Sequence, residues 1–223
     1  MAFNAAKAVS GAAAFALLAG LMWNVRGTIA QASNSIAGEA YGALLQTPTA
    51  SLARSPLATL DPASGMTDAQ AASVSAIGVL AAESLASITT GVIGENAASA
   101  QSSSTLQNVN LLGGLITAKA VRALASSASN GSSATSNAAG SGFVGLVVNG
   151  IALADAAPAP NTQLALPGVG TVILNEQFQR GNGQTTSGLT VNMIHVRLKD
   201  SLTGATTGEI ITGAAQSDAA FVR

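Results

Sequence analysis

The sequence contains no cysteine, little charge and few aromatic residues. Only 9% of its 223 residues are charged and 3% are aromatic, whereas 48% are hydrophobic. Without cysteine, neither a disulfide framework nor a thiolate metal site can form. The scarcity of aromatic residues argues against a stacking platform for single-stranded nucleic acid or glycans. Because much of the hydrophobic fraction is alanine, we expect a thin core built from small side chains.

An excess of charge of either sign is also lacking. The formal net charge is −1 and no basic run occurs, so we do not expect a nucleic-acid partner, which would require clustered lysine and arginine. Disordered chains usually combine low hydrophobicity with high net charge, and this sequence has neither property. We therefore predict an ordered, β-rich protein of small residues.

The first 32 residues differ from the rest. A 15-residue apolar run, Gly11–Val25, follows Lys7 and precedes the small-residue pattern Ala30-Gln31-Ala32. The run is shorter than the ~20 residues needed to span a bilayer. We predict a signal peptide over residues 1–32, cleaved near Ala32, and hence an extracellular or cell-surface protein with no mature transmembrane segment. Arg26 is atypical between an apolar run and a cleavage site, so an uncleaved N-terminal anchor is the alternative.

Turn signals recur after residue 120 at intervals of 15 to 21 residues. They are Asn130-Gly131, Asn149-Gly150, Pro167-Gly168, Asn182-Gly183 and Thr203-Gly204. Asn-Gly suits a tight hairpin because both central residues need positive φ. The rhythm is typical of antiparallel sandwiches and barrels. We predict a mostly β fold with a single antiparallel β-sandwich or jelly-roll-like domain over residues 33–223, with a flattened barrel as the near alternative.

The predicted strands lie between these turns. They are Phe143–Val148 paired with Ile151–Leu153, Gln163–Leu166 paired with Thr171–Phe178, the long strand Leu189–Leu198, and Glu209–Thr212. In the long strand, Val191 and Ile194 belong to opposite alternating sets of apolar residues. Such a change of phase predicts a β-bulge near Asn192 or Met193.

The first half of the sequence leaves alternatives open. Residues 67–90 begin with a capping-box pattern that favours a helix, but Gly78 and a β-branched run favour a strand. Residues 115–124 likewise fit a helix with Lys119 and Arg122 on one face, or a strand. Residues 46–65 are predicted to be a loop. Residues 126–142 are predicted to form a hairpin tip on a polar edge.

Four sequence blocks resemble a known family. They are NVNLLGGLITAKAVRALA (108–125), GFVGLVVNG (142–150), PNTQLALPGVGTVILNEQ (160–177) and LTVNMIHVRL (189–198). The order and the residue patterns of these blocks resemble those of the bacterial exported proteins called choice-of-anchor P, over about residues 85–215. The resemblance implies a surface-associated β protein with no established enzymatic activity. Members carry C-terminal anchoring signals, whereas this sequence ends GAAQSDAAFVR without one. We therefore expect free secretion, non-covalent attachment or self-assembly instead.

The polar end of LPGVGTVILNEQ is the first candidate site. Strict alternation would place Asn175 and Gln177 on one face and Glu176 on the other, together with Val172 and Leu174. A buried carboxylate is usually paired, and its candidate partners are Lys119, Arg122 and Arg180. No second acid or base lies nearby in the sequence, so we predict a structural role that fixes the register of the strand.

His195 is the only histidine, and the sequence offers no catalytic companion for it. No G-x-S-x-G motif occurs, and Asp200 lies five residues away, which places the two side chains on opposite faces of a strand. One histidine cannot form a multi-histidine metal site. We expect no catalytic residue, cofactor or metal, and predict that Asn175, Glu176, Gln177 and His195 are polar residues with structural roles.

The sequence is compatible with three functions. The first is an exported, non-enzymatic structural protein of the cell surface, extracellular matrix or a fibre, which self-associates through β edges or joins other surface components. The alternative is a binding module that recognises a glycan or protein through loops at one end of the sandwich. A hydrolase ranks third, because it would need a serine and a carboxylate beside His195.

Overall fold

Most of residues 33–223, the part of the chain that the computed structural model describes, is extended backbone. Two antiparallel sheets pack face to face, and no α-helix occurs in these residues. The prediction of a mostly β, sandwich-like domain is confirmed. The predicted signal peptide, residues 1–32, lies outside the described residues. Among the described residues, no helix has the length and apolar character needed to cross a membrane.

The first sheet contains six strands. In chain order they are β1 (Ser35–Gln46), β2 (Ser51–Thr59), β11 (Thr162–Leu166), β12 (Gly170–Gly181), β13 (Thr186–Lys199) and β14 (Thr206–Ala220). Their order in the sheet is β11-β12-β13-β14-β1-β2, so the last strand pairs with the first. This closure makes the N- and C-terminal strands of the described domain neighbours inside one sheet.

The second sheet contains eight strands. They are β3 (Gly65–Ala76), β4 (Leu80–Ile93), β5 (Ala98–Leu111), β6 (Ile116–Ser129), β7 (Ala134–Asn137), β8 (Gly142–Val144), β9 (Val147–Val148) and β10 (Ile151–Ala152). Six of them form the path β10-β9-β6-β5-β4-β3, and the short strands β7 and β8 also pair with β6. Neighbours along the path β6-β5-β4-β3 are consecutive in the sequence, as expected for a chain joined by short turns.

The predicted hairpin turns at Asn149-Gly150 and Pro167-Gly168 are present, but the predicted strand Phe143–Val148 is divided into β8 and β9. The two segments for which the sequence leaves helix and strand open are strands. β9 meets β10 across Asn149-Gly150, and β11 meets β12 across the turn that follows Leu166. Residues 67–90 form most of β3 and β4, and residues 115–124 belong largely to β6. The prediction of a loop over residues 46–65 is wrong, because β2 lies inside it. The local pattern of β2 is weak, because its exposed positions include Ala53 and Leu57 as well as polar residues, and the segment forms a strand by pairing with β1.

Part-way along the strands of the six-stranded sheet, the alternation of inward-facing and outward-facing side chains changes phase. The change occurs at the same level on neighbouring strands. On β13, Met193 and Ile194 are consecutive, yet both are buried in the shared core. On the strands to either side, Asn175 of β12 and Gly213 of β14 have φ of 51° and 69°. The left-handed backbone rotates the chain at this level, which costs little for glycine and is tolerated by asparagine. We call this level of the sheet the crease.

The crease replaces the predicted bulge. The change of phase on β13 lies where the sequence places it, but the register of β13 is continuous across it. Glu176 lies opposite Asn192, and Leu174 lies opposite Ile194, with the same spacing on both strands. Because neighbouring strands change phase at the same level, no extra residue is needed, and the bulge prediction is wrong.

The eight-stranded sheet also has a level at which its strands change phase, but there the β4–β5 pairing shifts register between Ala81 and Ala86. Ser84 of β4 and Asn108 of β5 both have φ of 49°. Leu106 and Val109, which lie on either side of Asn108, are both buried in the core although strict alternation would separate them. Both sheets therefore change phase part-way along their strands, and the two faces of the sandwich stay complementary.

Large and small side chains occupy different halves of the interior. Large buried side chains concentrate on one side of the crease, and they include Leu45, Leu111, Ile116, Leu174 and Ile210. Small buried residues concentrate on the other side, and they include Ala100, Ser102, Ser104, Ser127 and Ser217. There the sheets approach closely, since a Cβ at Gly38 would lie 2.8 Å from Ser102 Oγ. This half is the thin part of the core.

Candidate functional site

The outer face of the six-stranded sheet, which points away from the second sheet, carries every ion pair found among residues 33–223. The pairs are Arg54–Glu39, Arg180–Asp218, Arg197–Glu176, His195–Glu176 and His195–Glu209. These residues lie on β1, β2, β12, β13 and β14, so side chains from five adjacent strands converge on one surface. The outer face is therefore the surface on which the charged side chains of the described domain pair with one another.

Glu176 is the buried centre of this face. Its side chain is 3% exposed and is bound by three side chains of β13. Asn192 Nδ2 donates to Glu176 Oε2 at 2.9 Å, His195 Nδ1 lies 2.7 Å from the same oxygen, and Arg197 Nη2 donates to Oε1 at 3.0 Å. Both carboxylate oxygens thus have partners, as a buried carboxylate requires.

The crease explains why Glu176 faces outward. Asn175 has a left-handed backbone, so the alternation that keeps Val172 and Leu174 in the core changes phase before Glu176. The prediction that Glu176 shares a face with those two residues is wrong for this reason. The donors suggested from the sequence are also wrong. Lys119 and Arg122 lie on β6 of the other sheet, and Arg180 bonds to Asp218.

His195 lies between two carboxylates. Its Nδ1 faces Glu176, and its Nε2 lies 3.2 Å from Glu209 Oε2 on β14. The imidazole is 8% exposed, whereas the Glu209 side chain is 36% exposed, so the chain of contacts leads from the interior to the surface. When the ring carries a proton on each nitrogen, both nitrogens can donate to carboxylates. The histidine therefore links β12, β13 and β14.

The surroundings of Glu176 favour its ionised form. Burial alone would raise the pKa of the carboxyl. Hydrogen bonds from His195 and Asn192, with the charges of His195 and Arg197, outweigh burial and lower the pKa below its ordinary value. Glu176 is thus held as a carboxylate, which is a hydrogen-bond acceptor and not a proton donor.

Tyr41 forms a second buried centre on the same face. It is 7% exposed and packs with Leu44, Ile211 and Ala214. The Arg54 guanidinium lies over its ring, 5.2 Å from the centroid, and also bonds to Glu39 at 2.7 and 3.0 Å. Burial raises the pKa of the phenol to about 12, although the nearby Arg54 charge opposes that shift.

Asn175 and Gln177 make a different set of contacts from Glu176. Asn175 Nδ2 donates to the Pro158 carbonyl at 2.8 Å, and Gln177 Nε2 donates to Asn175 Oδ1 at 2.9 Å. The backbone N–H of Gln177 donates to Asn161 Oδ1 at 2.9 Å. These two residues hold the loop that precedes β11, whereas Glu176 and His195 join strands. The structure divides the four predicted residues into these two groups.

Sequence reasoning missed Asn192, Arg197 and Glu209. Arg197 follows His195 by two residues, so alternation alone places both side chains on one face. Glu209 lies directly opposite Arg197 in the β13–β14 register, which no local pattern reveals. Asn192 joins the group only because the crease changes its face relative to Ile194.

One sheet edge is a second candidate site. β3 is a 12-residue edge strand with a single charged residue, Asp68, and no proline. Within the described domain, its backbone has no strand partner on the side away from β4. The other edges are protected. β2 contains Pro56, Arg54 and a register irregularity, while β11 and β10 have five and two residues. β3 is thus the edge best suited to pairing with another chain.

The described residues contain no group of histidine, aspartate and glutamate side chains arranged to hold a metal ion. Both ring nitrogens of His195 face carboxylates, and neither faces a serine hydroxyl. The arrangement that a Ser-His-Asp hydrolase would need is therefore not formed around this ring.

Comparisons with protein-family models, with curated proteins and with solved structures find no significant match to this chain.

Proposed function

We propose that this chain is an exported structural protein of the cell surface or extracellular matrix that self-associates through β3. The observation that carries the proposal is the unprotected edge of β3. A strand edge presents unpaired N–H and C=O groups, and a second strand can pair with them by main-chain hydrogen bonds. Export of the chain is proposed from the signal-peptide pattern of residues 1–32.

The side chains of β3 present little obstacle to pairing. Most are small, including Ala69, Ala71 and Ser75, and Asp68 is the only charge. Natural edge strands usually carry lysine, proline or a bulge that prevents such pairing. β2, at the corresponding edge of the other sheet, has such features. The contrast within one molecule supports a role for the β3 edge.

The experiment compares two matched variants of residues 33–223 by size-exclusion chromatography with light scattering over a concentration series. The first, Gln70→Lys with Ser73→Lys, places charge on exposed positions of β3. The second, Gln101→Lys with Gln107→Lys, places the same charge on exposed positions of β5, which is internal to the sheet. We expect the unmodified protein and the β5 variant to grow in mass with concentration, and the β3 variant to remain monomeric.

Two results would contradict the proposal. A monomer at every concentration for the unmodified protein would exclude self-association and favour the alternative function of a surface binding module. Equal growth of the β3 and β5 variants would show that another surface joins the molecules.

A further inference from the structure

We propose that the outer face of the six-stranded sheet binds a neutral polysaccharide in a groove along β14. Two adjoining cavities form this groove, which we call the β14 groove. The first has a volume of about 260 Å³ and is lined by residues that include Arg180, Ser187 and Asp218. The second has a volume of about 220 Å³ and is lined by residues that include Glu39, Tyr41, Arg54, Thr190 and Gln216.

The two cavities are parts of one continuous surface. Arg180 lines the first cavity, and its Nη1 donates to Thr190 Oγ1 of the second cavity at 2.7 Å. Gln216 lines the second cavity, and its Nε2 donates to Asp218 Oδ2 of the first at 3.0 Å. The lining residues of β14 run from Ala214 to Ala220, about 20 Å of extended chain. A ligand that contacted both cavities along this length would be elongated, such as a polymer of several sugar units.

Glycine shapes the first cavity. Arg180 on β12 and Asp218 on β14 are separated by β13, and Gly188 lies between them in both registers. A Cβ at Gly188 would overlap Asp218 Oδ1. The absence of a side chain lets the guanidinium and the carboxylate meet above β13, with Arg180 Nη2 at 3.0 Å from Asp218 Oδ1. The floor of the cavity is thus backbone, and its walls combine the polar side chains of Arg180, Thr186 and Asp218 with alanine.

The side chains of the β14 groove suit hydroxyl groups. Arginine provides only donors, carboxylates provide only acceptors, and the glutamine and threonine side chains provide both. Each sugar hydroxyl is itself one donor and two acceptors, so a mixed surface can satisfy it. The groups are also held in place by each other, which lowers the entropy lost when a ligand binds.

Each charged side chain of the groove is paired with one of opposite charge, and this arrangement favours a neutral ligand. Arg180 is paired with Asp218, and Arg54 is paired with Glu39. Neither cavity therefore presents an unpaired charge that would attract a phosphate, a carboxylate polymer or a polyamine. Charge complementarity points to a ligand without formal charge.

An exposed aromatic ring lies beside the groove. Phe178 is 49% exposed and is the cross-strand partner of Thr190, whose other cross-strand partner is Gln216. Directly opposite residues share one face of a sheet, so Phe178 belongs to the outer face. A single ring is no extended stacking platform, but it supplies an apolar contact for the C–H face of one sugar unit.

The test is affinity electrophoresis of the full chain in native gels that contain one soluble polysaccharide each. The neutral probes are β-1,3-glucan, starch, mannan and arabinogalactan, and the charged probes are alginate and chitosan. We expect at least one neutral polymer to retard the protein and the charged polymers to have no effect beyond that of the supporting gel. No retardation by any neutral polymer, or retardation by the charged polymers alone, would overturn the proposal.

Matched variants locate the binding surface. Phe178→Ala with Gln216→Ala changes the β14 groove, whereas Ile88→Ala with Gln101→Ala makes an equivalent change on the outer face of the other sheet. We expect the first pair to weaken binding about tenfold and the second to leave it unchanged. Thermal unfolding of each variant verifies that the sandwich is intact. Equal binding by both variants would place the ligand elsewhere and would overturn the proposal.

Discussion

Asn175 on β12 and Gly213 on β14 flank Met193 of β13, and both have a left-handed backbone. Their φ angles are 51° and 69°. Because the reversal occurs at one level on adjacent strands, the sheet keeps its hydrogen-bond register while the faces of its strands exchange. The crease thereby sends the Glu176 carboxylate to the outer face and keeps both Met193 and Ile194 in the core.

Replacement of Gly213 by alanine should destabilise the domain. The left-handed conformation costs a residue with a Cβ about 1–2 kcal/mol, and the added Cβ would also lie 2.8 Å from Val121 Cγ1. Gly204→Ala is the matched control, because Gly204 has φ of 71° and no atoms within 4 Å of its added Cβ. Urea unfolding should show a larger loss of stability for Gly213→Ala than for Gly204→Ala. Equal losses would mean that the crease is not tightly packed.

Much of the fold could be predicted from the sequence, because turns and alternation are local. The Asn149-Gly150 hairpin and the long strand β13 follow directly from residues adjacent in the chain. β2 was missed because Leu52 and Leu57 are its only large hydrophobic residues, and because its pairing with β1 depends on residues distant from its own pattern.

The candidate site was only partly predictable. Glu176 and His195 could be chosen as candidates because they are the polar residues within apolar strands. Their partners could not be chosen, because the backbone angle of Asn175 decides which face Glu176 occupies. The pairing of β13 with β14 then determines that Glu209 lies within reach of His195. Neither property is encoded in a short stretch of sequence.

Buried hydroxyls in the thin part of the core should differ in their contribution to stability. Ser104 Oγ is buried and has no hydrogen-bond partner among the described residues, whereas Ser127 Oγ bonds to both the carbonyl and the hydroxyl of Ser217. Ser104→Ala should leave the free energy of unfolding unchanged or raise it by up to about 1 kcal/mol, while Ser127→Ala should lower it by about 1 kcal/mol. Chemical denaturation of the two variants checks this, and the opposite ranking would contradict it.

Ionisation of Tyr41 can be observed directly, because it is the only tyrosine in the chain. Burial raises its pKa to about 12, so the ultraviolet signal of tyrosinate should have its midpoint near that pH and not near the ordinary value of about 10. Arg54 lowers the pKa, so Arg54→Gln should move the midpoint upward. Spectrophotometric titration of folded protein tests both statements, with circular dichroism to verify folding. A midpoint near 10 in folded protein would show that the ring is solvated.

Glu176 should make the stability of the domain depend on pH in the acidic range. Its pKa is lower in the folded protein than in the unfolded chain, so its stabilisation is fully present above the unfolded value of about 4.3 and is lost as pH falls through the folded value. Glu176→Gln should lower the free energy of unfolding by about 3 kcal/mol at neutral pH, and the difference from the unmodified protein should shrink below about pH 4. Urea unfolding at several pH values measures this difference.

Glu209→Gln provides the control for Glu176, since Glu209 contacts the same imidazole from the solvent side. Its side chain is 36% exposed, so the replacement should cost less than about 1 kcal/mol at neutral pH. A loss for Glu176→Gln that is equally large at neutral and at acidic pH would show that shape and packing at this position matter, and that the charge does not. Equal losses of stability for Glu176→Gln and Glu209→Gln would show that the burial of Glu176 does not increase the stabilisation from its contact with His195. We expect the larger loss of stability for Glu176→Gln, and we expect that loss to decrease in acid. Both expectations follow from the unequal burial of the two carboxylates that contact His195.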